Sequence, residues 1–337
     1  MKLSEFIESR LGQAVDKDLF VKLLKVEGLT ITDIADRLNL PTELVDKTIS
    51  ELRLNHVMIE DNDGILSIKP TPNEGGKKRL YPFIEEGEWV RFGFISDNHL
   101  GSKFERLDAL NALYDRFEEE DIKVVLNGGN WIEGEARFNR NEIHKFGLQR
   151  QIDYAVQQYP YRKGVETWFV SGDDHEGWYN QREGINIGDL FQMEREKAGM
   201  FDIKHLGYVE ADIEIQGNYE NPIWMRLMHP GGGSAYAISY APQKIIESLQ
   251  GGEKPNILFL GHFHKMSYDF IRGVHVVQMG CTVDQSIFMR KKRIEAHLGG
   301  GIAEFKRGVS GEITRFRVEI MPFYDKKFYS GKDKYWK

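Results

Sequence analysis

Five short, largely apolar runs in this chain each end in a cluster of metal-ligating side chains, and this recurrence constrains the fold more than any other feature. The runs are residues 89–95, 124–126, 167–170, 223–228 and 257–260. The clusters that follow them are Ser96-Asp97-Asn98-His99, Gly128-Gly129-Asn130-Trp131-Ile132-Glu133-Gly134, Gly172-Asp173-Asp174-His175-Glu176, His229-Pro230-Gly231 and Gly261-His262-Phe263-His264. Such runs predict buried strands, and the helical stretches between several of them, 106–120 and 242–249, predict α and β layers stacked around those sheets. The crevice at the carboxyl ends of such strands is where functional groups gather. Five of the ten histidines sit in these clusters. Imidazole and carboxylate together suit Mn, Fe or Zn. An Asp-x-His or His-x-His pair at a strand end lets two ligands converge as the chain leaves the sheet.

The first 70 residues follow a different pattern. Residues 16–27 place Leu19, Phe20, Leu23 and Leu24 at helical spacing, and Gly28 follows as a stop signal. A short helix at 30–38, a turn at Asn39-Leu40-Pro41 and a helix at 42–54 with Leu44, Val45, Ile49 and Leu52 inward come next. Residues 56–60 and 65–68 flank an Asp63-Gly64 turn and predict a hairpin. Three helices and a hairpin resemble a winged helix-turn-helix domain over residues 1–70. Residues 71–88 are rich in proline and glycine and read as a linker or an extended crossing segment. The expected organisation is completed by a domain over 89–320 and a basic, aromatic tail over 321–337.

A length of 337 residues suits two domains. The net charge of −7 excludes a uniformly basic nucleic-acid coat, though not a local basic face. One cysteine, Cys281, excludes an intramolecular disulfide framework and fits a reducing compartment. No stretch approaches the roughly 18 apolar residues of a membrane helix, so a cytoplasmic protein without membrane contact is expected.

The order of the five clusters resembles the calcineurin-like metallophosphoesterase superfamily, whose signature runs D-x-H, G-D-x-x-D, G-N-H-D/E, a lone H, and G-H-x-H. Asp97-Asn98-His99 and Gly261-His262-Phe263-His264 match their elements outright, and the resemblance extends from Trp89 to roughly Arg290. It implies a four-layer αββα sandwich of the α/β class. It also implies two divalent metal ions about 3.5–4 Å apart, with a bridging water or hydroxide attacking phosphorus in line. Manganese leads, with iron, zinc or magnesium as alternatives. Carried over by position, Asp97, His99 and His264 hold the first metal. Asp174, His229 and His262 hold the second, and Asn130 falls where the family has its bridging carboxylate. His175 takes the place of the histidine that protonates the leaving oxygen or stabilises its charge. Glu133 takes that of an acid orienting this histidine.

Two departures stand out. Asn130 replaces an aspartate, and Asp174 stands where the family has asparagine. Three readings are open: a swap that preserves the carboxylate count and alters metal preference, a weakened site, or a third motif shifted by one residue with Asp173 as ligand. Asp174 is preferred because it directly precedes His175.

Two features lean toward nucleic acid. One is the winged-helix-like start, since such domains place a helix in the major groove. The other is the stretch 286–337, with 13 Lys or Arg against 6 Asp or Glu, a net of +7. It contains Arg290-Lys291-Lys292-Arg293 and a tail that interleaves lysines with aromatics, able to pair with phosphates and stack on bases. With Arg137 and Arg182, these four residues are the candidate substrate-binding set. Residues 1–70 carry 9 Lys or Arg against 13 Asp or Glu, a net of −4. That charge suits a protein partner or self-association as well as DNA. The leading expectation is a Mn-dependent phosphodiesterase, a nuclease of the DNA-repair-like branch acting on DNA in repair, recombination or replication. The alternatives are a catalytically impaired scaffold subunit of a DNA-processing complex, and a phosphomonoesterase or phosphoprotein phosphatase.

Overall fold

The computed structural model describes residues 15–26, 28–54, 57, 59–68, 79–81, 88–216, 222–233, 236–308 and 310–323. The tail expected at 321–337 therefore lies almost wholly outside the described residues. The chain divides into two compact units: Met1–Thr71 with Gly177–Leu190, and Pro72–Glu176 with Phe191–Lys337.

The first unit contains helices α1 (Lys17–Val26), α2 (Ile31–Leu38) and α3 (Thr42–Leu54), then strands β1 (Glu60–Asn62) and β2 (Ile65–Ser67). Thr30 and Asp33 cap α2 reciprocally: the Asp33 amide donates to the Thr30 hydroxyl at 3.1 Å, and the Thr30 amide to the Asp33 carboxylate at 2.9 Å. The two-residue loop is Asp63-Gly64, with φ of 54° and 85°, the geometry a tight hairpin needs. Phe20, Leu24, Ile34, Val45, Ile49, Leu52 and Leu66 form the core. Leu29 pairs with Leu66 and adds a third segment beside the hairpin. The sequence expectation placed residues 177–190 with the larger domain. They fold instead with the first unit: helix α6 (Gly177–Glu183) lies here, Val57 bridges Ile185, and the Lys25 ammonium donates to the Gln181 carbonyl at 3.2 Å.

The second unit is an α/β sandwich of two six-stranded sheets. One sheet contains β4 (Trp89–Ile95), β5 (Val124–Asn127), β6 (Glu166–Ser171), β7 (Ile203–Tyr208), β13 (Gly299–Arg307) and β14 (Ile313–Pro322), in the order β14-β13-β4-β5-β6-β7. The other contains β3 (Arg79–Tyr81), β8 (Glu210–Ile215), β9 (Ile223–Met228), β10 (Ile257–Leu260), β11 (Met266–Ile271) and β12 (Val274–Met279), in the order β11-β12-β10-β9-β8-β3. Part of the expected linker is thus an edge strand, β3, parallel to β8.

Period-2 alternation builds the shared core: Ile223, Met225 and Leu227 of β9 meet Phe92 and Phe94 of β4, with Phe259 and Val277 alongside. On the outer face of the second sheet, Ile246 of α8 (Tyr240–Ser248) covers Leu258, Leu260, Val274 and Val276. Helix α4 (Leu107–Glu119) lies on the first sheet, where a methyl group on Gly93 would come within 3.0 Å of Phe117. Four layers result, as the αββα expectation required. Strands β4, β5 and β6 are mutually parallel, as are β9 and β10, so all five motif clusters leave strand carboxyl ends.

Candidate metal centre

The loops after β4 and β10 build a first cluster. His264 Nε2 lies 3.2 Å from Asp97 Oδ1 and 3.3 Å from His99 Nε2. Asp97 is held in place through its other oxygen, which accepts the Ser96 hydroxyl at 2.6 Å and the His262 amide at 2.8 Å. The loops after β6, β9 and β10 build a second cluster. Asp174 Oδ1 is 3.3 Å from His229 Nε2, and Asp174 Oδ2 is 3.5 Å from His262 Nδ1. Asp174, and not Asp173, belongs to the convergent set. Each cluster therefore has one carboxylate and two imidazoles.

Asn130 reaches both clusters. Its Nδ2 faces Asp97 Oδ1 at 3.4 Å. A methyl group on Gly172 would meet Asn130 Oδ1 at 2.4 Å and His229 Nε2 at 3.0 Å, so these two atoms border one point in space.

The fit to metal ions can be tested on the donor atoms. Asn130 Oδ1, Asp174 Oδ1, His229 Nε2 and His262 Nδ1 are buried without hydrogen-bond partners among the described residues. Buried polar atoms are normally paired, and here the orphans converge. The opposite ring nitrogens are engaged: His229 Nδ1 meets the Gly128 carbonyl, His262 Nε2 the Gly232 carbonyl at 2.7 Å, and His99 Nδ1 the Glu133 carboxylate at 2.9 Å. Such partners fix each ring and its tautomer so that the inner nitrogen presents a lone pair. The residues present thus fit metal ions bound through mixed oxygen and nitrogen ligands.

Backbone strain concentrates here. Asp97, His99, Asn130, His175, His262 and His264 all have φ between 42° and 74°, half of the twelve non-glycine residues with positive φ among those described. Non-glycine residues pay for that conformation, and such strain clusters at functional sites.

Glu133 departs from its expected role in one respect. His175 Nδ1–H donates to the Glu133 main-chain carbonyl at 2.8 Å, and the carboxylate Oε1 stands 3.8 Å away. The carboxylate instead accepts from His99 Nδ1 and, at 3.0 Å, from the Asn139 amide. One residue therefore positions both rings, which stack edge-on at 4.3 Å.

Two positioning residues were not found from the sequence. Glu176 accepts the main-chain amides of Asn130 and Gly172, each at 2.8 Å, and ties the second motif to the third. Burial pushes its carboxyl up to about 8. Its one signal is its place next to His175. Asn139 donates to both the carbonyl and the carboxylate of Glu133, and no pattern marks it.

The clusters open into a cavity of about 470 Å³ lined by His99, Asn130, Asp174, His175, His262 and His264 on one side. Of the expected substrate-binding residues, only Lys292, at the end of helix α9 (Ile287–Lys292), lines it. Arg137, Arg290, Lys291 and Arg293 are exposed and are not among the lining residues. Arg182 belongs to the first unit and pairs with Glu183 at 2.8 Å.

The charges set a proton balance. Burial pulls the His99 imidazole down, but Glu133 and Asp97 outweigh it and raise it to about 10. Burial likewise opposes His229, while Asp174, Asp97 and Glu176 raise it to about 9. Burial keeps His264 below its ordinary value. Burial would raise the Asp97 carboxyl, but His264, His99 and His229 hold it well below the usual range. At neutral pH the metal-free protein therefore keeps protons on His99 and His229 that a cation must displace. Metal binding at pH 7.5 is expected to release about two protons, with affinity rising as pH approaches 9 to 10. Calorimetric titration with Mn²⁺ in two buffers of different ionisation enthalpy reads this directly. Buffer-independent heats would overturn it.

No family model matches the chain, and no curated protein matches it. Solved structures similar to it include an archaeal phosphodiesterase, 12% identical, covering 69% of this chain and 100% of that one, with a TM-score of 0.36. A single mutant of Vps29 from Entamoeba histolytica is 16% identical, covers 70% and 100%, and has a TM-score of 0.35. A putative 5'-nucleotidase from Staphylococcus aureus, in complex with alpha-ketoglutarate, is 10% identical, covers 71% and 55%, and has a TM-score of 0.41. These likenesses are remote, and the functional reading rests on the side chains of this chain. No helix among the described residues is long and apolar enough to cross a membrane.

Proposed function

We propose that the chain is a metal-dependent phosphodiesterase of the calcineurin-like type, and specifically a nuclease that cleaves DNA. The observation that carries this reading is the convergence of two Asp-His-His clusters on Asn130, beside His175, at the end of one cavity. Two divalent ions held there, manganese first, supply charge neutralisation for a phosphate and activation of a water molecule. Asp97 and Asp174 give each cluster one negative charge. Glu133 and the Gly128 and Gly232 carbonyls hold the ligand rings in register. His175, anchored through Nδ1, keeps Nε2 to hold or deliver a proton at the leaving oxygen. Lys292 and its exposed neighbours Arg290, Lys291 and Arg293 offer positive charge near the cavity and support a polyanionic substrate. The helix–helix–helix–hairpin order of the first unit supports a winged-helix-like module, and the net charge of −4 over residues 1–70 equally supports docking to a protein or a second copy. The buried Cys281 thiol is consistent with a cytoplasmic location.

The test offers purified protein Mn²⁺, Mg²⁺, Zn²⁺ and Fe²⁺ with single-stranded DNA, duplex DNA and bis-p-nitrophenyl phosphate. Mn²⁺-dependent cleavage of DNA is the expected result. One observation favours a second reading, a binding or scaffold subunit: the position shared by both clusters is a neutral amide, Asn130. If the chain is silent and Asn130→Asp cleaves, position 130 has switched off a working site. Silence from both, with metal bound and the fold intact, replaces the nuclease by the scaffold.

A further inference from the structure

Part of the cavity lining is apolar and unused by the chemistry above. It consists of Phe138, Val283, Phe288, Met289 and Ile294, and Lys292 lines the same cavity. Phe138 links this apolar part to the histidines. Its ring stands edge-on to His175 at 5.6 Å and 87°, leans on Phe288 at 5.0 Å, and remains 42% exposed. Glu142, also on the lining, is occupied by the Phe288 amide at 2.9 Å. Lys292 is exposed and lines the cavity, where its ammonium can meet an anion.

This arrangement has three parts: ligands for a phosphate, an aromatic ring beside the leaving-group histidine, and an ammonium on the lining of the same cavity. An unpaired nucleotide has the matching three: the scissile phosphate, a flat base with apolar faces, and the next phosphate. A cavity of about 470 Å³ is of small-ligand size. A base inside a duplex has both faces covered by its neighbours and cannot lie on a side chain until it leaves the stack. We infer that Phe138, supported by Phe288, is the stacking platform for an unpaired base next to the scissile phosphate. The enzyme therefore acts on single-stranded DNA or on frayed ends rather than on intact duplex. This rests on the nuclease reading and goes beyond it by fixing the strand state and the specificity residue.

The experiment compares one oligonucleotide as a single strand, as a blunt duplex, and as a set of single strands carrying one abasic residue at successive positions, all with the Mn²⁺-loaded full chain. Stacking on an aromatic residue predicts that one abasic position lowers kcat/KM by roughly 5- to 150-fold, and that the duplex is cut far more slowly. In Phe138→Ala the abasic penalty disappears, because there is no platform left to lose. Phe138→Tyr restores it. Equal cleavage of abasic and intact strands by the unaltered chain overturns the inference. So does a Phe138→Ala defect of the same size on both, or duplex cut as fast as single strand. If no DNA is cut at all, the nuclease reading fails, and the platform is tested by itself with a short 2-aminopurine oligonucleotide. Fluorescence quenching by the unaltered chain, lost in Phe138→Ala and regained in Phe138→Tyr, sustains it as a base-binding site. No quenching overturns it.

Discussion

His175→Ala is expected to lower kcat on DNA by roughly 10²- to 10⁴-fold, the range for a positioned general acid or base, while metal content stays at the level of the unaltered chain. The separation of the two effects follows from geometry. His175 is tied by Nδ1 to the Glu133 carbonyl and belongs to neither Asp-His-His cluster. It lines the cavity, so its remaining nitrogen is the one that can meet a substrate oxygen. Removing the ring takes away proton transfer at that oxygen and leaves the six cluster residues in place. The measurement is kcat against pH, together with bound metal per chain. A fall of less than tenfold with an unchanged pH profile would remove His175 from the proton-transfer step. Loss of metal in parallel with loss of rate would make it a structural part of the centre instead.

Gly172→Ala is expected to be as damaging although the residue carries no chemistry. Its new methyl group would sit 2.4 Å from Asn130 Oδ1 and 2.9 Å from the His229 ring. Neither neighbour can retreat cheaply. The Asn130 main-chain N–H donates to Glu176 and its backbone is held at φ 50°, and His229 is fully buried with Nδ1 on the Gly128 carbonyl. The donor atoms must move apart. A loss of roughly 10- to 100-fold in Mn²⁺ affinity is expected, of the size seen when residues behind metal ligands are changed, with a similar or larger loss of rate. Overpacking costs about 1–3 kcal/mol of stability, small enough for the fold to persist. Gly251→Ala is the control, since a methyl group there meets nothing within 4 Å. Titration with Mn²⁺ and thermal melts of both variants decide the matter. Unaltered affinity in Gly172→Ala would show that Asn130 and His229 do not border that point.

How much of this was legible beforehand depended on whether the signal was local. Strands buried on both faces read as continuous apolar runs, and the strands at 89–95 and 257–260 were found where those runs lie. Helix periodicity and the Asp63-Gly64 turn did the same for the first unit. The histidines and carboxylates of the clusters stood out because each closes such a run. The division between units was less legible. Nothing local in residues 177–190 says that Ile185 pairs with Val57.

By itself the sequence determined the buried strands and the clusters of ligand-type side chains that close them, while the four-layer sandwich and the ligand set came only as what the resemblance to calcineurin-like metallophosphoesterases implies. The strands follow from backbone periodicity, and the clusters stand out as residue types that cannot be buried without a partner. Only the tertiary structure decided that Asp174 rather than Asp173 faces His229 and His262, and that the Glu133 carboxylate serves His99 while its carbonyl serves His175. It also decided that Glu176 ties Asn130 to Gly172, and that Phe138 and Phe288 wall the cavity. Partners such as His99 and His264 are 165 residues apart. Their meeting depends on which strands share an edge and on left-handed backbone at non-glycine residues, and local composition carries neither.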